Sequence, residues 1–151
     1  MLDEAAENAT RRDWMGLMAK APPDDLKNLW NATGLQPAYS LLRRPETGSV
    51  MVRGRTGGTG APFNLGEMTV TRCTLRLKTG AIGHAYVQGR DKGHAMRAAL
   101  VDALMQTDAA ALLRRAVLTP LAEAAQARRD TRARKAAATK VEFFTMVRGE
   151  D

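Results

Sequence analysis

The sequence predicts a single α+β domain in which two short helices precede an antiparallel sheet and further helices follow it. Apolar residues recur at helical spacing before residue 34 and after residue 91, whereas the region from Gln36 to Gly89 alternates with a period of two. At 151 residues the chain has the common size of one domain, so we expect residues 1–151 to fold as one unit. No repeat of roughly 20 to 50 residues occurs, which excludes solenoids.

The segment before Gly34 predicts two short helices, separated by Pro22 and Pro23. Thr10 is placed to cap the first, over residues 11–20. The aspartates that follow the prolines suit the positive start of the second helix, and Gly34 is placed to end it. The apolar side chains fall at the spacing of one helical face: Trp14, Leu17, Met18, Leu26, Leu29 and Trp30.

The central region predicts a four-stranded antiparallel meander, with Pro, Gly and Thr-Gly turns between the strands. The predicted strands cover residues 38–44, 49–56, 67–78 and 81–88. The third is the clearest, because Thr71, Cys73, Leu75 and Leu77 share one face while Arg72, Thr74, Arg76 and Lys78 share the other. Small residues in the fourth strand predict the close approach of another backbone or helix.

The remaining chain predicts helices and an apolar tail. A helix over residues 91–106, with an apolar stripe, is expected to lie across the sheet. Asp108 is placed to cap the next helix, and Pro120 to divide or restart it. An Ala, Arg and Lys-rich stretch then continues to about Ala138 as a long basic helix, before the apolar tail 141–151.

Composition favours a cytoplasmic protein with an anionic partner. The net charge is +7 and the pI about 10.2, which suits nucleic acid, a phosphate-rich small molecule or an acidic subunit. No apolar run approaches the roughly 20 residues of a spanning helix, and the acidic N-terminus lacks the features of a signal peptide. Cys73 is the only cysteine, so an intrachain disulfide is excluded, and its strand position favours a buried, inert thiol.

A first candidate for phosphate binding is the glycine-rich stretch that follows Arg53. Free backbone amides in such a turn can cradle phosphate oxygens. It lacks the GxxxxGK[ST] pattern and no helix follows it directly, so a Walker loop is excluded. The alternative is a hairpin loop that needs positive φ angles. The candidate residues are Arg55, Gly57, Gly58 and Thr59.

A second candidate is the predicted junction between the last strand and the following helix. Arg90 and Lys92 can hold phosphate near the positive helix terminus, or lie at an interface, whereas Asp91 can simply cap the helix. Junctions of this kind are frequent ligand sites and also frequent turns, so both interpretations stay open. The candidate residues are Gln88, Arg90, Asp91, Lys92 and His94.

The sequence predicts neither a metal site nor a catalytic residue in this chain. Cys73, His84 and His94 lack the spacing of a zinc site, and the two serines lie in no nucleophile elbow. Arginines and lysines over 128–140 favour a solvated helical face. RNA binding is the alternative, but it would call for aromatic side chains among these cations, and none occurs before Phe143.

The C-terminal segment is unusually apolar for a chain end. It follows a helix too polar to shelter it, so we expect it to dock onto a partner; the alternative is a strand on the domain's own sheet. The residues expected to bind the partner are Phe143, Phe144, Met146, Val147 and Arg148.

Five motifs occur in order along the chain: ETG at Glu46–Gly48, GGTG at Gly57–Gly60, TRCTLRL at Thr71–Leu77, VQGRDKGHAMRAALVDALMQ at Val87–Gln106 and FFTMVRG at Phe143–Gly149. This ordered set resembles the PhnG family of the bacterial carbon–phosphorus lyase system. The junction motif and the terminal motif are the most specific. The first 35 residues resemble the family only through Trp14-Met15 and their helical character.

The resemblance implies a subunit of an enzyme complex in phosphonate catabolism. Such complexes combine PhnG-, PhnH-, PhnI- and PhnJ-type subunits in two copies each, with ATP-binding-cassette proteins of PhnK and PhnL type. The implied reaction transfers an alkylphosphonate to ribose C1′ of ATP and releases adenine, giving α-D-ribose 1-methylphosphonate 5-triphosphate from methylphosphonate. It implies no catalytic residue and no cofactor in this chain, ATP being the complex's co-substrate, and neither nucleic acid nor membrane as partner. The rival classes are a basic RNA-binding domain and a stand-alone phosphate-binding enzyme.

Overall fold

The structure, a computed structural model, describes the backbone of residues 2–140 and the side chains of residues 10–140. Helices precede and follow one antiparallel sheet, which confirms the α+β class. In chain order the elements are α1 (Leu2–Lys20), α2 (Pro23–Thr33), β1 (Tyr39–Arg55), β2 (Pro62–Leu77), β3 (Ile82–Gln88), α3 (Lys92–Leu104), α4 (Ala110–Leu113) and α5 (Thr119–Ala138). The predicted tail over 141–151 lies outside the described residues.

The prediction of four strands is wrong for the described chain, whose sheet has three, in the order β1-β2-β3. The first two predicted strands are one strand, β1, which continues through the Pro-Glu-Thr-Gly stretch that predicted a turn. Register shifts between Leu41 and Arg43, and between Arg43 and Glu46, mark irregularities on either side of Arg43. Because β1 is an edge strand with a bulge here, Pro45 is accommodated without ending the strand.

One face of β2 lies in the core, as its alternation predicts. Cys73, Leu75 and Leu77 are buried, whereas Arg72 and Arg76 on the opposite face are exposed. Each large apolar side chain that is buried in this way stabilises the fold by roughly 1.5 to 3 kcal/mol. Helix α3 packs on this side of β2 and β3, so the predicted position of that helix across the sheet is confirmed.

Helix α3 and strand β3 approach so closely that only glycine fits at one position between them. A Cβ atom at Gly83 would lie 1.9 Å from the carbonyl oxygen of Ala99 and 2.8 Å from the Cβ of Ala103. This confirms the close approach that the small residues of β3 predict. The buried face of α3 is accordingly rich in alanine: Ala95, Ala98, Ala99 and Ala103.

The fully buried carboxylate of Asp102, on α3, fastens α1 to the edge of β3. Its oxygens accept hydrogen bonds from Arg11 Nε (3.0 Å) and Nη2 (2.7 Å), from Trp14 Nε1 (2.9 Å) and from the backbone N–H of His84 (2.8 Å). Arg11 also donates to the carbonyl oxygen of Ile82. The hydrogen bond from Arg11 and the charge of Asp102 raise the pKa of the guanidinium.

The N-terminal helices fill the other side of the core. Met18 and Leu26 are buried, and the remaining apolar residues that predict the two helices pack partly buried against the core. Gly34 ends α2 in the left-handed conformation at a φ of 65°, as predicted. The prediction that Thr10 caps the first helix is wrong, because α1 begins at Leu2.

The C-terminal helices differ from the prediction at Asp108 and agree with it at Pro120. Ala109, not Asp108, holds the N-cap position of α4, and no side chain caps it. The backbone stays helical from α4 through a π-helical turn, Arg114–Leu118, and α5 begins at Thr119 with Pro120 in its first turn, so Pro120 restarts the helix as predicted. The N–H of Thr119 donates to the carbonyl oxygen of Arg114, five residues back. This wider turn leaves room for a proline ring that would crowd the preceding turn of an α-helix.

The long hairpin of β1 and β2 continues beyond the end of β3. The last pair between β2 and β3 is Val70 with Gln88, whereas β1 and β2 stay paired as far as Arg55 with Pro62. We call residues 47–69 the hairpin arm. Within the described residues, no helix is long and apolar enough to cross a membrane.

Candidate functional site

The junction between β3 and α3 has the conformation of a tight turn followed by a capped helix. Gly89 adopts a φ of 92°, which favours glycine, and the helix starts at Lys92. Asp91 is its N-cap, with Oδ1 accepting a hydrogen bond of 2.8 Å from the backbone N–H of His94. The capping interpretation of Asp91 is therefore confirmed.

Two cations flank this cap on the surface. Arg90 and Lys92 are exposed, and within residues 10–140 the described ion pairs include neither of them. They lie beside the N-terminal end of α3, where the backbone N–H groups carry a partial positive charge. Gln88 is exposed at the end of β3. These side chains form a positive surface that can attract a phosphate or an acidic partner.

His94 faces the opposite way and is fully buried. Its Nε2 lies 2.8 Å from the carbonyl oxygen of Met18, which only accepts hydrogen bonds, so Nε2 carries the hydrogen. Burial lowers the pKa of His94, against the opposing effects of the Met18 carbonyl and Asp91. The imidazole therefore contributes to the packing of α1 on α3 and is not presented at the surface with Arg90 and Lys92.

Arg97 is a further cation of the junction that sequence reasoning missed. Its guanidinium lies over Gly93, where a Cβ would be 3.2 Å from Nη2. Its Nη1 is buried without a hydrogen-bond partner in the described structure. The available signal was helical spacing, because residues four apart on a helix lie over one another, and Gly93 leaves the space that the guanidinium occupies.

The glycine-rich stretch forms the loop between β1 and β2. Gly57 and Gly58 have φ angles of 60° and 84°, and the N–H of Gly60 donates to the carbonyl oxygen of Thr56 at 2.8 Å. Arg55 Nη1 donates to the carbonyl oxygen of Gly60 at 3.1 Å. These bonds describe a hairpin loop that requires positive φ angles. Thr59, like the other predicted residues of this loop, is exposed.

The two predicted phosphate-binding clusters lie far apart. The loop is at the tip of the hairpin arm, whereas the junction is at its base, beside Val70. The stretch of β2 from Pro62 to Val70 spans on the order of 25 Å in an extended conformation. A single phosphate group cannot contact both clusters in this arrangement.

The ETG motif belongs to a charged cluster on the exposed edge of the sheet. The carboxylate of Glu46 accepts hydrogen bonds from Arg43 and, at 2.7 Å, from Arg72. The bond from Arg43, helped by that from Arg72, lowers the pKa of Glu46. All three side chains are about half exposed, so the cluster links the two strands at the surface without a buried charge.

A groove of about 360 Å³ lies between α1 and the free side of β3, and none of the predicted site residues lines it. Its walls are mostly apolar and include Met15, Met18 and Val87. In the part of the chain that the structure describes, no three His, Cys, Asp or Glu side chains are grouped as metal ligands. The expectation that this chain holds no metal and no cofactor stays a prediction.

The residues predicted to bind a partner through the tail lie outside the described residues. They are Phe143, Phe144, Met146, Val147 and Arg148.

Comparison with known proteins gives the family. Residues 9–149 match the family described as "Phosphonate metabolism protein PhnG". The chain is also 49% identical over 147 residues to the α-D-ribose 1-methylphosphonate 5-triphosphate synthase subunit PhnG of Rhizobium meliloti (strain 1021), covering 95% of this chain and 92% of that protein. The motifs that resembled PhnG lie within the matched region, and the chain belongs to the PhnG family.

Proposed function

We propose that this chain is a subunit of the complex that makes α-D-ribose 1-methylphosphonate 5-triphosphate in phosphonate catabolism. The observation that carries the proposal is the 49% identity, over 95% of the chain, to a protein named as a subunit of that synthase. In the proposed reaction an oxygen of the alkylphosphonate bonds to ribose C1′ of ATP, the bond from C1′ to adenine breaks, and adenine leaves. The 5′-triphosphate is retained.

Within the complex the chain acts as a structural or accessory subunit. Two side chains of nucleophilic or basic type, Cys73 and His94, support this role because the fold buries both. Cys73 is 1% exposed and burial raises the pKa of its thiol, which disfavours the reactive thiolate. His94 is buried with a lowered pKa, and Asp91 caps α3.

The proposed partners are PhnH-, PhnI- and PhnJ-type subunits, two copies of each subunit type, joined by ATP-binding-cassette proteins of PhnK and PhnL type. The proposed compartment is the cytoplasm, where ATP is available. The positive charge of the chain supports association with acidic partner surfaces or with the phosphates of the substrate.

Reconstitution tests the proposal directly. The PhnH-, PhnI- and PhnJ-type subunits are purified with and without this chain, supplied with ATP and methylphosphonate, and assayed for adenine release. We expect the partners to co-purify with the tagged chain, and adenine release to require all four proteins. Adenine release by the chain alone would instead indicate a stand-alone enzyme.

The RNA-binding alternative has a separate test, because the exposed residues of α5 include several cations. RNA binding would weaken steeply as salt rises, since each phosphate contact releases counterions. We expect no measurable RNA affinity at physiological ionic strength. Tight, salt-sensitive RNA binding without partner co-purification would refute the proposed function.

At the junction, we propose that Arg90 and Lys92 lie beside the substrate phosphates or at a subunit boundary. Their exposure and their place at the N-terminal end of α3 support this. The double variant Arg90→Ala with Lys92→Ala is expected to reduce adenine release or assembly. The matched control removes two exposed cations of α5, Arg132→Ala with Lys135→Ala, and is expected to change neither. If both double variants show the same adenine release and assembly, the junction is only a surface turn.

For the tail, we propose docking onto a partner subunit. Deleting residues 141–151 is expected to leave the melting temperature of the isolated chain unchanged and to abolish co-purification with the partners. A large loss of thermal stability would show instead that the tail belongs to the chain's own core.

A further inference from the structure

The hairpin arm is a two-stranded ribbon that the described remainder of the chain leaves uncovered. Between residues 47 and 69 most positions are exposed, including Met51 at 52%, Phe63 at 43% and Leu65 at 66%. A two-stranded hairpin is marginally stable at best by itself, and most monomeric proteins avoid contiguous apolar exposure. The arm therefore has the features of a segment that is completed by another molecule.

The two faces of the arm differ in chemistry. The hydrogen-bonded hydroxyls of Thr47 and Thr71, 3.2 Å apart, mark the face that continues the core side of the sheet. The register places Ser49, Thr69 and Glu67 on that face with Met51, so it is mainly polar. The opposite face carries the alternate residues of β1, and a register shift between Val52 and Arg53 brings Phe63 of β2 to it, opposite Gly54. The large side chains of this face are apolar: Val50, Val52, Phe63 and Met68.

The arm also has an unpaired backbone edge. The last hydrogen bond on the β3 side of β2 runs from the N–H of Gly89 to the carbonyl oxygen of Thr69. Successive residues of a strand direct their backbone groups to alternate sides, so Glu67 directs its N–H and C=O to this same side. On this side of β2, no strand of the described chain pairs with residues 62–68. An extended segment can add there as a third strand.

Charge favours a different protein over a second copy of this chain as the occupant. The arm carries Arg53 and Arg55, both exposed, against one acid, Glu67. The whole chain has a net charge of +7, so two copies repel each other, whereas an acidic chain is attracted.

We infer that the hairpin arm is a docking site for an extended segment of another subunit of the synthase complex, which pairs with the free edge of β2 between Pro62 and Met68. The side chains of that segment extend both faces of the arm, with apolar residues beside Phe63 and Met68 and acidic residues on the face that carries Arg53 and Arg55. The inference rests on the proposed function, because it takes the partner from the same complex.

The test uses a proline that blocks the free edge. In Glu67→Pro the lost N–H is one that points away from β1, so the β1–β2 ladder is retained. Glu67→Ala removes the same side chain and keeps the N–H, which makes it the matched control. In the full chain co-expressed with the PhnH-, PhnI- and PhnJ-type subunits, we expect Glu67→Pro to weaken partner capture by at least about tenfold and Glu67→Ala to leave it unchanged.

A second pair of variants decides the question if the proline lowers the melting temperature of the isolated chain. Phe63→Asp with Leu65→Asp places charge on the exposed apolar residues of the arm, and Leu112→Asp places it on an exposed leucine of α4. We expect only the first to abolish capture. A photo-crosslinking residue at position 65 should label a partner subunit, and one at position 112 should not.

The outcomes separate this inference from the proposed function. Failure of the wild-type chain to capture the partners overturns both. Capture by the wild type and, equally, by all arm variants overturns the docking inference alone. If instead the wild-type chain self-associates and the arm variants are monomeric with unchanged capture, the occupant is a second copy and the inference is wrong.

Discussion

Replacing Asp102 by alanine should destabilise this protein more than removing any charged side chain at its surface. The carboxylate is 0% exposed and receives four hydrogen bonds, two from Arg11, one from Trp14 and one from the backbone of His84. In Asp102→Ala the N–H groups of Trp14 and His84 lose their acceptor at a partly buried site, and Arg11 loses its counter-charge.

The expected loss follows from these contacts. Removing one partner of a buried ion pair costs about 3 to 5 kcal/mol, and each buried donor left without an acceptor costs about 1 to 3 kcal/mol. Arg11 is 29% exposed and can turn towards water, so these contributions do not simply add. We expect the free energy of unfolding to fall by about 3 to 4 kcal/mol, a large part of the roughly 5 to 15 kcal/mol of a typical domain.

Urea unfolding followed by circular dichroism measures this difference. The control is Asp25→Ala, which removes the surface pair with Arg128, whose two side chains are 39% and 43% exposed. Surface pairs contribute about 0 to 1 kcal/mol, so the control should lose at most about 1 kcal/mol. If Asp102→Ala costs no more than Asp25→Ala, the buried network does not fasten α1 to the sheet and the reasoning is refuted.

Three other experiments test the packing and the buried titratable groups. Gly83→Ala should lower the free energy of unfolding by about 3 kcal/mol, because its Cβ would meet the carbonyl oxygen of Ala99. Gly48→Ala is the control and should change this free energy little, because no atom lies within 4 Å of the added Cβ. Urea unfolding compares the two variants, and equal losses would contradict the close contact at Gly83. Cys73 should react with a thiol reagent only after unfolding, since it is 1% exposed and burial raises its pKa; fast labelling of the native chain would show an accessible thiol. Burial lowers the pKa of His94, so below about pH 6.5 the unfolded chain binds a proton that the folded chain does not. The free energy of unfolding should therefore fall as the pH is lowered below that value. Urea unfolding at a series of pH values should show a weaker dependence of this free energy on pH in His94→Gln, and an identical dependence in both chains would exclude His94 as its origin.

The junction shows how far local sequence patterns extend towards a site. The pattern around Asp91 predicts a capped helix start, and the structure confirms the cap. The same pattern placed His94 among candidate phosphate contacts, yet its ring faces Met18 on α1, 76 residues away in the chain. Which way a side chain at a helix start points depends on the element that packs against it, and the local pattern does not contain that element.

By itself the sequence determined the class of most elements, the buried face of β2 and the family. These depend on short-range properties: side chains alternate along a strand, recur along a helix, and a glycine such as Gly34 tolerates the left-handed turn that ends α2. Only the tertiary structure decided that β1 runs through Pro45, that Asp102 joins α1 to α3 and β3, and that the two basic clusters lie at opposite ends of the hairpin arm. Each of these features depends on contacts between distant segments, such as Arg11 and Asp102, which lie 91 residues apart in the chain. The burial and the hydrogen-bond partners of a group are set by the segments that fold against it, and a local sequence pattern does not contain those segments.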